Sequence, residues 1–175
     1  MSAFTRYAEA RGSIAEGAAA VYDFLDDQAN LSAHMSKSSG MMLGSSMNIR
    51  MEADHTRNVG SRFGFTGHVL GIPLAVEEIV TGREPPMEKT WETTSEPRLW
   101  VIGRYAMGFE LTAQGKAQSD LRVYIHYDLP AQGVARVLGH LFGRFYAKWC
   151  THLMVSDAQK HFARQPGEGL KTANA

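Results

Sequence analysis

The chain has 175 residues, of which 44% are hydrophobic and 21% charged, enough apolar material for one sizeable core without loss of solubility. Eighteen Lys and Arg balance eighteen Asp and Glu, which removes the electrostatic case for a nucleic-acid binder, whose affinity rests largely on phosphate contacts. The single cysteine, Cys150, excludes an intrachain disulfide, no apolar run approaches the roughly 20 residues of a membrane span, and Met1 to Gly12, with Arg6, Glu9 and Arg11, lacks the apolar centre of a signal peptide; a cytoplasmic location is expected.

Phe4 to Gly12 predicts a first strand. Ser13 followed by Glu16 matches a capping box, with the hydroxyl accepting from the Glu16 amide and the carboxylate reaching back. Ile14, Val21, Phe24 and Leu25 then recur at helical spacing. Gln28 to Gly44 predicts a short helix and a loop. From Ser45 the period becomes two: Met47, Ile49, Met51 and Ala53 alternate with Asn48, Arg50, Glu52 and Asp54. A turn at Asn58 to Gly60 leads to Phe63, Phe65 and Val69. Gly71-Ile72-Pro73 turns again into the run Leu74 to Thr81, which Pro85-Pro86 ends.

Glu88 to Thr94 predicts a short strand around Trp91. Leu99, Val101, Tyr105, Met107, Phe109 and Leu111 share one face of a long strand, with Gly103 as a bend. After Gln114-Gly115-Lys116, the residues Leu121, Val123, Ile125 and Tyr127 face one way and Arg122, Tyr124, His126 and Asp128 the other. Strands joined by turns this short pair antiparallel, since parallel neighbours need long crossovers.

One apolar face per strand requires a cover, and Pro130 to about Arg164 supplies it as a long helix. Val134, Val137, Leu138, Leu141, Phe142, Phe145, Trp149 and Leu153 form its broad apolar face. Buried, that face contributes at most on the order of 12–24 kcal/mol, against about 1 kcal/mol lost at each of Gly139 and Gly143. Beyond Trp149 the apolar residues Val155, Ala158 and Phe162 lie on a rotated face, which a bend or contact with the first helix explains. Gln165 to Ala175, with Pro166, Gly167 and Gly169, reads as a flexible tail. The expected fold is therefore α+β, one domain over residues 1–164: a curved antiparallel sheet of about seven strands gripping a long C-terminal helix, with two short helices after the first strand.

Four segments in this order resemble the START-like superfamily, also called SRPBCC, of polyketide cyclases, dehydrases and lipid-transfer proteins. They are SIAEGAAAVYDFL (13–25), EIVTGREPP (78–86), YAMGFEL (105–111) and YDLPAQGVARVLGHLFGRF (127–145). The resemblance implies a helix-grip fold with a deep pocket between sheet and helix. Members bind lipids, sterols or aromatic polyketides, and some are catalytic, so fold alone assigns no reaction.

The residues set the candidates. Met47, Ile49, Met51, Phe63, Phe65, Trp91, Tyr105, Met107, Phe109 and Tyr127 from the sheet, with Leu138, Leu141, Phe142 and Phe145 from the helix, are expected to line the ligand site. The methionines would make the lining adaptable, and the hydroxyls of Tyr105 and Tyr127 would orient a ligand. Glu78 shares strand parity with Leu74, Val76 and Val80; turned inward it is a candidate acid/base with a raised pKa, whereas the plainer reading is a twisted strand with Glu78 ion-paired near the rim. Arg104 reaches the pocket mouth only if Gly103 shifts the register.

No His-x-x-x-His pair occurs, and His140 and His152 follow Arg136, Arg144 and Lys148 along a solvated basic edge, so neither a metal nor a cofactor is expected. Cys150 has no activating neighbour in sequence and reads as structural or incidental rather than nucleophilic. Three functions follow: binding of a lipid-like or polycyclic aromatic molecule, a polyketide cyclase or dehydratase using the same pocket, or a regulatory or assembly module. A homodimer is compatible with each.

Overall fold

The computed structural model describes residues 4–31, 46–52, 55–69 and 72–164. Strand β1 (Arg6–Ile14) leads to helices α1 (Ala18–Asp26) and α2 (Gln28–Leu31), and then to β2 (Ser46–Met51), β3 (Arg62–Val69), β4 (Ile72–Glu84), β5 (Glu88–Thr93), β6 (Tyr105–Ala113) and β7 (Ser119–Tyr127). Helix α3 (Gly133–Ala163) closes the described chain. The expected loop beyond Leu31, the Gly71 turn, the side chain of Met47 and the tail 165–175 lie outside the described residues.

The seven strands form one antiparallel sheet in the order β1-β7-β6-β5-β4-β3-β2. Six of them follow each other as a meander, and β1 returns to pair with β7, so the first and last strands are tied together. The period-two pattern is realised directly: along β7, Leu121, Val123, Ile125 and Tyr127 are buried while Arg122 and Tyr124 are only half-buried and His126 is exposed. Helix α3 packs on β1 and β7, and α1 packs on β6 and β7.

The α1 start differs from the capping-box expectation. Ser13 pairs with Asp120 inside β1, and Gly17 is the N-cap. Ladder hydrogen bonding keeps Ser13 extended, and the Glu16 carboxylate accepts instead from the Gly17 amide at 2.8 Å. The long strand expected from Leu99 begins only at Tyr105. Arg98 bridges to Ala75, and the Gly103 amide donates to the Asp128 carbonyl at 2.8 Å. A Cβ on Gly103 would lie 2.9 Å from the Leu129 carbonyl oxygen, so this segment is fitted against the β7–α3 connection rather than into the sheet.

The first half of α3 is rotated from the expected orientation. Gly139 and Gly143 face the protein: a Cβ at Gly143 would meet the Val101 carbonyl oxygen at 2.7 Å, and one at Gly139 would meet Pro130 Cδ at 2.8 Å. Such close backbone approach puts the small residues inside and turns Val134, Val137, Leu141, Phe142 and Phe145 to solvent. Beyond Trp149 the helix does contact the first helix as one of the two readings required, with Phe24 of α1 stacked on His161 at 3.9 Å and edge-on to Phe162 at 5.5 Å.

Candidate functional site

Between the sheet and α3 lies a partly open cavity of about 80 Å³. Its floor is Phe65 of β3, Leu74, Val76 and Glu78 of β4, Trp91 of β5, Tyr105 and Met107 of β6 and Ile125 of β7. Tyr146, Cys150 and Met154 of α3 close one side, Leu99 and Ile102 of the β5–β6 connection another, and Gln28 and Leu31 of α2 a third. An apolar cavity of about 150 Å³ accepts benzene, so the space holds only a small group as it stands. Even a single aromatic ring therefore requires the lining to move.

Glu78 is the polar exception in this apolar wall. Strand β4 alternates, and Val76, Glu78 and Val80 all point inward at 6%, 1% and 1% exposure. The inward parity therefore holds at Glu78, and the expected rim ion pair is not formed: among the described residues its carboxyl meets no cation. The Tyr105 hydroxyl donates to Glu78 Oε1 at 2.8 Å, and Oε2 is buried with no hydrogen-bond partner among the described residues. Burial pushes this carboxyl up to about 8, with Tyr105 and Trp91 pulling less strongly the other way. At neutral pH it is therefore mostly a neutral acid carrying an O–H donor.

The α3 wall adds two more protic groups. Burial pushes the Cys150 thiol up to about 12, against the opposing pull of the Tyr146 hydroxyl. Tyr146 itself is held well above the ordinary phenol range, first by Cys150 and then by burial. A thiol kept protonated is a poor nucleophile. Tyr105 is likewise raised, by burial and then by Glu78. The cavity thus holds a carboxyl, two phenols and a thiol, all protonated near neutrality, with the Gln28 carboxamide on the α2 side and mostly hydrocarbon elsewhere.

Of the expected lining residues, Phe65, Trp91, Tyr105 and Met107 meet in the cavity. Phe109 and Tyr127 are buried in the core without reaching it. Met51 and Phe63 line a more open hollow over β2 to β4, and Ile49 packs at the core margin. Leu138 is half-buried outside the cavity. Leu141, Phe142 and Phe145 do not face the site: they are 67%, 51% and 62% exposed, because the glycine side of α3 takes the inward position. Arg104 is half-exposed and lies near Glu96 and Asp128, 3.9 and 3.6 Å away; it does not enter the cavity.

Sequence reasoning missed Tyr146, Cys150 and Met154. Their signal was present: they recur every four residues on the side of α3 that carries Gly139 and Gly143, and small residues mark the closest approach of a helix to its neighbour.

Neither a protein-family model nor a curated protein sequence matches the chain. Solved structures do match it. Norcoclaurine synthase from Thalictrum flavum aligns with a TM-score of 0.64 and 12% identity, over 91% of this chain and 87% of that one. The Zhui aromatase/cyclase from a Streptomyces species, R1128, gives a TM-score of 0.63 and 13% identity over 91% and 94%. Ara h 8.0201 gives 0.59 and 8% over 91% and 99%. At these identities the likeness shows the fold, which is the helix-grip fold of START-like (SRPBCC) proteins expected from the segment order.

Proposed function

We propose that the chain binds a small apolar molecule bearing a carbonyl or comparable oxygen, with the hydrocarbon against Trp91, Met107 and Met154 and the oxygen accepting from Glu78. The observation that carries this reading is the Oε2 of a fully buried carboxyl, without a partner among the described residues, in a mostly apolar cavity. A buried polar atom left without a partner costs about 1–3 kcal/mol, and a ligand oxygen is the group that recovers it. Norcoclaurine synthase, of the same fold, has a structure in complex with dopamine and hydroxybenzaldehyde, and the latter is an aromatic carbonyl compound. Acetophenone, a ring with one carbonyl, tests the reading by titration calorimetry. Glu78→Leu is expected to weaken it about three- to tenfold, the loss of one neutral hydrogen bond; an unchanged affinity contradicts the assigned role.

Glu78 also favours a second, catalytic reading, in which the pocket serves a cyclase- or dehydratase-type reaction. A carboxyl with its pKa raised to about 8 is suited to protonate a carbonyl oxygen as carbon chemistry proceeds beside it. Deuterium exchange at the methyl group of acetophenone reports this directly: Glu78 protonates the carbonyl oxygen, solvent water takes the methyl proton, and the enol returns its O–H proton to Glu78 as its carbon accepts a solvent deuteron. Exchange accelerated by the native chain and abolished in Glu78→Gln supports catalysis; exchange at the solvent rate leaves the chain a binding protein.

A further inference from the structure

We infer that the first half of α3 is a docking surface for an anionic lipid bilayer, which it meets with an exposed apolar stripe bordered by cations. Val134, Val137, Leu141, Phe142 and Phe145 recur at spacings of three and four and share one side of the helix, and each is 51% to 67% exposed. The opposite side is fixed to the protein by the close approach of Gly139 and Gly143 to Val101 and Pro130. The stripe therefore cannot turn inward without breaking that packing.

Charge identifies the occupant. From Gly133 to Ser156 the helix carries Arg136, Arg144 and Lys148 with His140 and His152, and no carboxylate. Arg6 of β1 lines the same surface hollow as Arg136 and His140. The one carboxylate in that hollow, Asp128, is engaged by Thr5 at 3.0 Å and faces Arg104 at 3.6 Å. A second copy of this chain laid on the stripe brings the same cations and no acid to answer them. Anionic headgroups answer them at about 1 kcal/mol per Lys or Arg. No helix among the described residues is long and apolar enough to cross a membrane, so the contact is peripheral, with α3 lying in the interface plane. The inference does not depend on what fills the cavity.

The full chain is tested by co-sedimentation with vesicles of phosphatidylcholine alone and of phosphatidylcholine mixed with phosphatidylglycerol, at low and high salt. Binding to the phosphatidylglycerol vesicles, weakened by salt, is expected. Arg144→Gln/Lys148→Gln should weaken it about thirtyfold, and Phe142→Ser/Phe145→Ser roughly tenfold or more. All four positions are exposed, so both double variants should keep the native melting temperature. Absence of binding to anionic vesicles overturns the inference, as does binding that survives the loss of both phenylalanines. A dimer in sedimentation velocity that dissociates in the phenylalanine variant, without vesicle binding in the parent, assigns the face to a second copy and overturns it equally.

Discussion

At the scale of the residue, two buried charge problems are solved in opposite ways. Glu78 meets no cation among the described residues and, with its pKa raised to about 8, holds a proton near neutrality. Asp26, at the end of α1, is also buried, which alone would raise its pKa, but Arg83 and Lys89 outweigh that and hold it below the ordinary carboxylate value. Arg83 Nη2 lies 2.6 Å from Asp26 Oδ2 and Lys89 Nζ 3.1 Å from Oδ1. Lys89 also donates to the Asp26 backbone carbonyl, at the negative end of α1, and to Thr56 Oγ1 at 3.1 Å. Because the Lys89 side chain is fully buried, Asp26→Asn should cost about 3–5 kcal/mol in urea unfolding, leaving the ammonium uncompensated. A loss below about 1 kcal/mol would mean that the pair is far less isolated from solvent than its burial requires.

The pH dependence of Glu78 follows from the sign of its shift. An unfolded carboxyl titrates near its ordinary 4.5 and the folded one near 8. Between these values the folded chain holds a proton that the unfolded chain has lost. This contribution is fully present below pH 4.5, falls as pH rises through the window, and levels off above 8, at a slope of roughly 1.4 kcal/mol per pH unit where steepest. Glu78→Gln is expected to flatten the stability profile between pH 5 and 8 measured by urea unfolding. Equal slopes in both proteins would remove the neutral buried acid from the account.

At the scale of the element, the strands were readable and the long helix was only half so. A strand has two faces, and one face of β7 takes Leu121, Val123, Ile125 and Tyr127 while the other takes Arg122, Tyr124 and His126, so composition fixes direction. The same parity argument placed Glu78 inward, although an ion pair at the rim was the plainer expectation. Helix α3 offers a continuous choice of angle, and its larger apolar stripe is not the buried one. Close contact at Gly139 and Gly143 decides the rotation, and that contact depends on where Val101 and Pro130 arrive, which the helix's own sequence does not state. Gly143→Ala should therefore destabilise by about 1–3 kcal/mol, since its methyl meets a backbone oxygen, although alanine favours helix. Phe145→Ser, in spite of its size, should change thermal stability little. The reverse order in thermal denaturation would restore the large stripe to the core.

At the scale of the whole molecule, the order of elements carried the fold. A strand, a helix pair, a meander and a long helix admit the return of β1 to β7 and a cavity under α3. The site was legible in part: Phe65, Trp91, Tyr105 and Met107 were found by strand parity, whereas Tyr146, Cys150 and Met154 depended on the rotation of α3, and Ile102 on an irregular segment with no periodicity to read. The small volume of the cavity was not legible at all, because it depends on packing across elements. On the proposed function, this space takes an apolar ligand at the Glu78 end. Titration of the native chain and of Val76→Phe with acetophenone tests it most directly, since Val76 points inward two residues from Glu78. The account predicts one molecule bound per native chain and none to the variant, with the variant's unfolding free energy within about 1 kcal/mol of the parent, because added volume enters space that is already empty. No binding to the native chain, together with a loss of several kcal/mol in the variant, would show a solid core and contradict the claim.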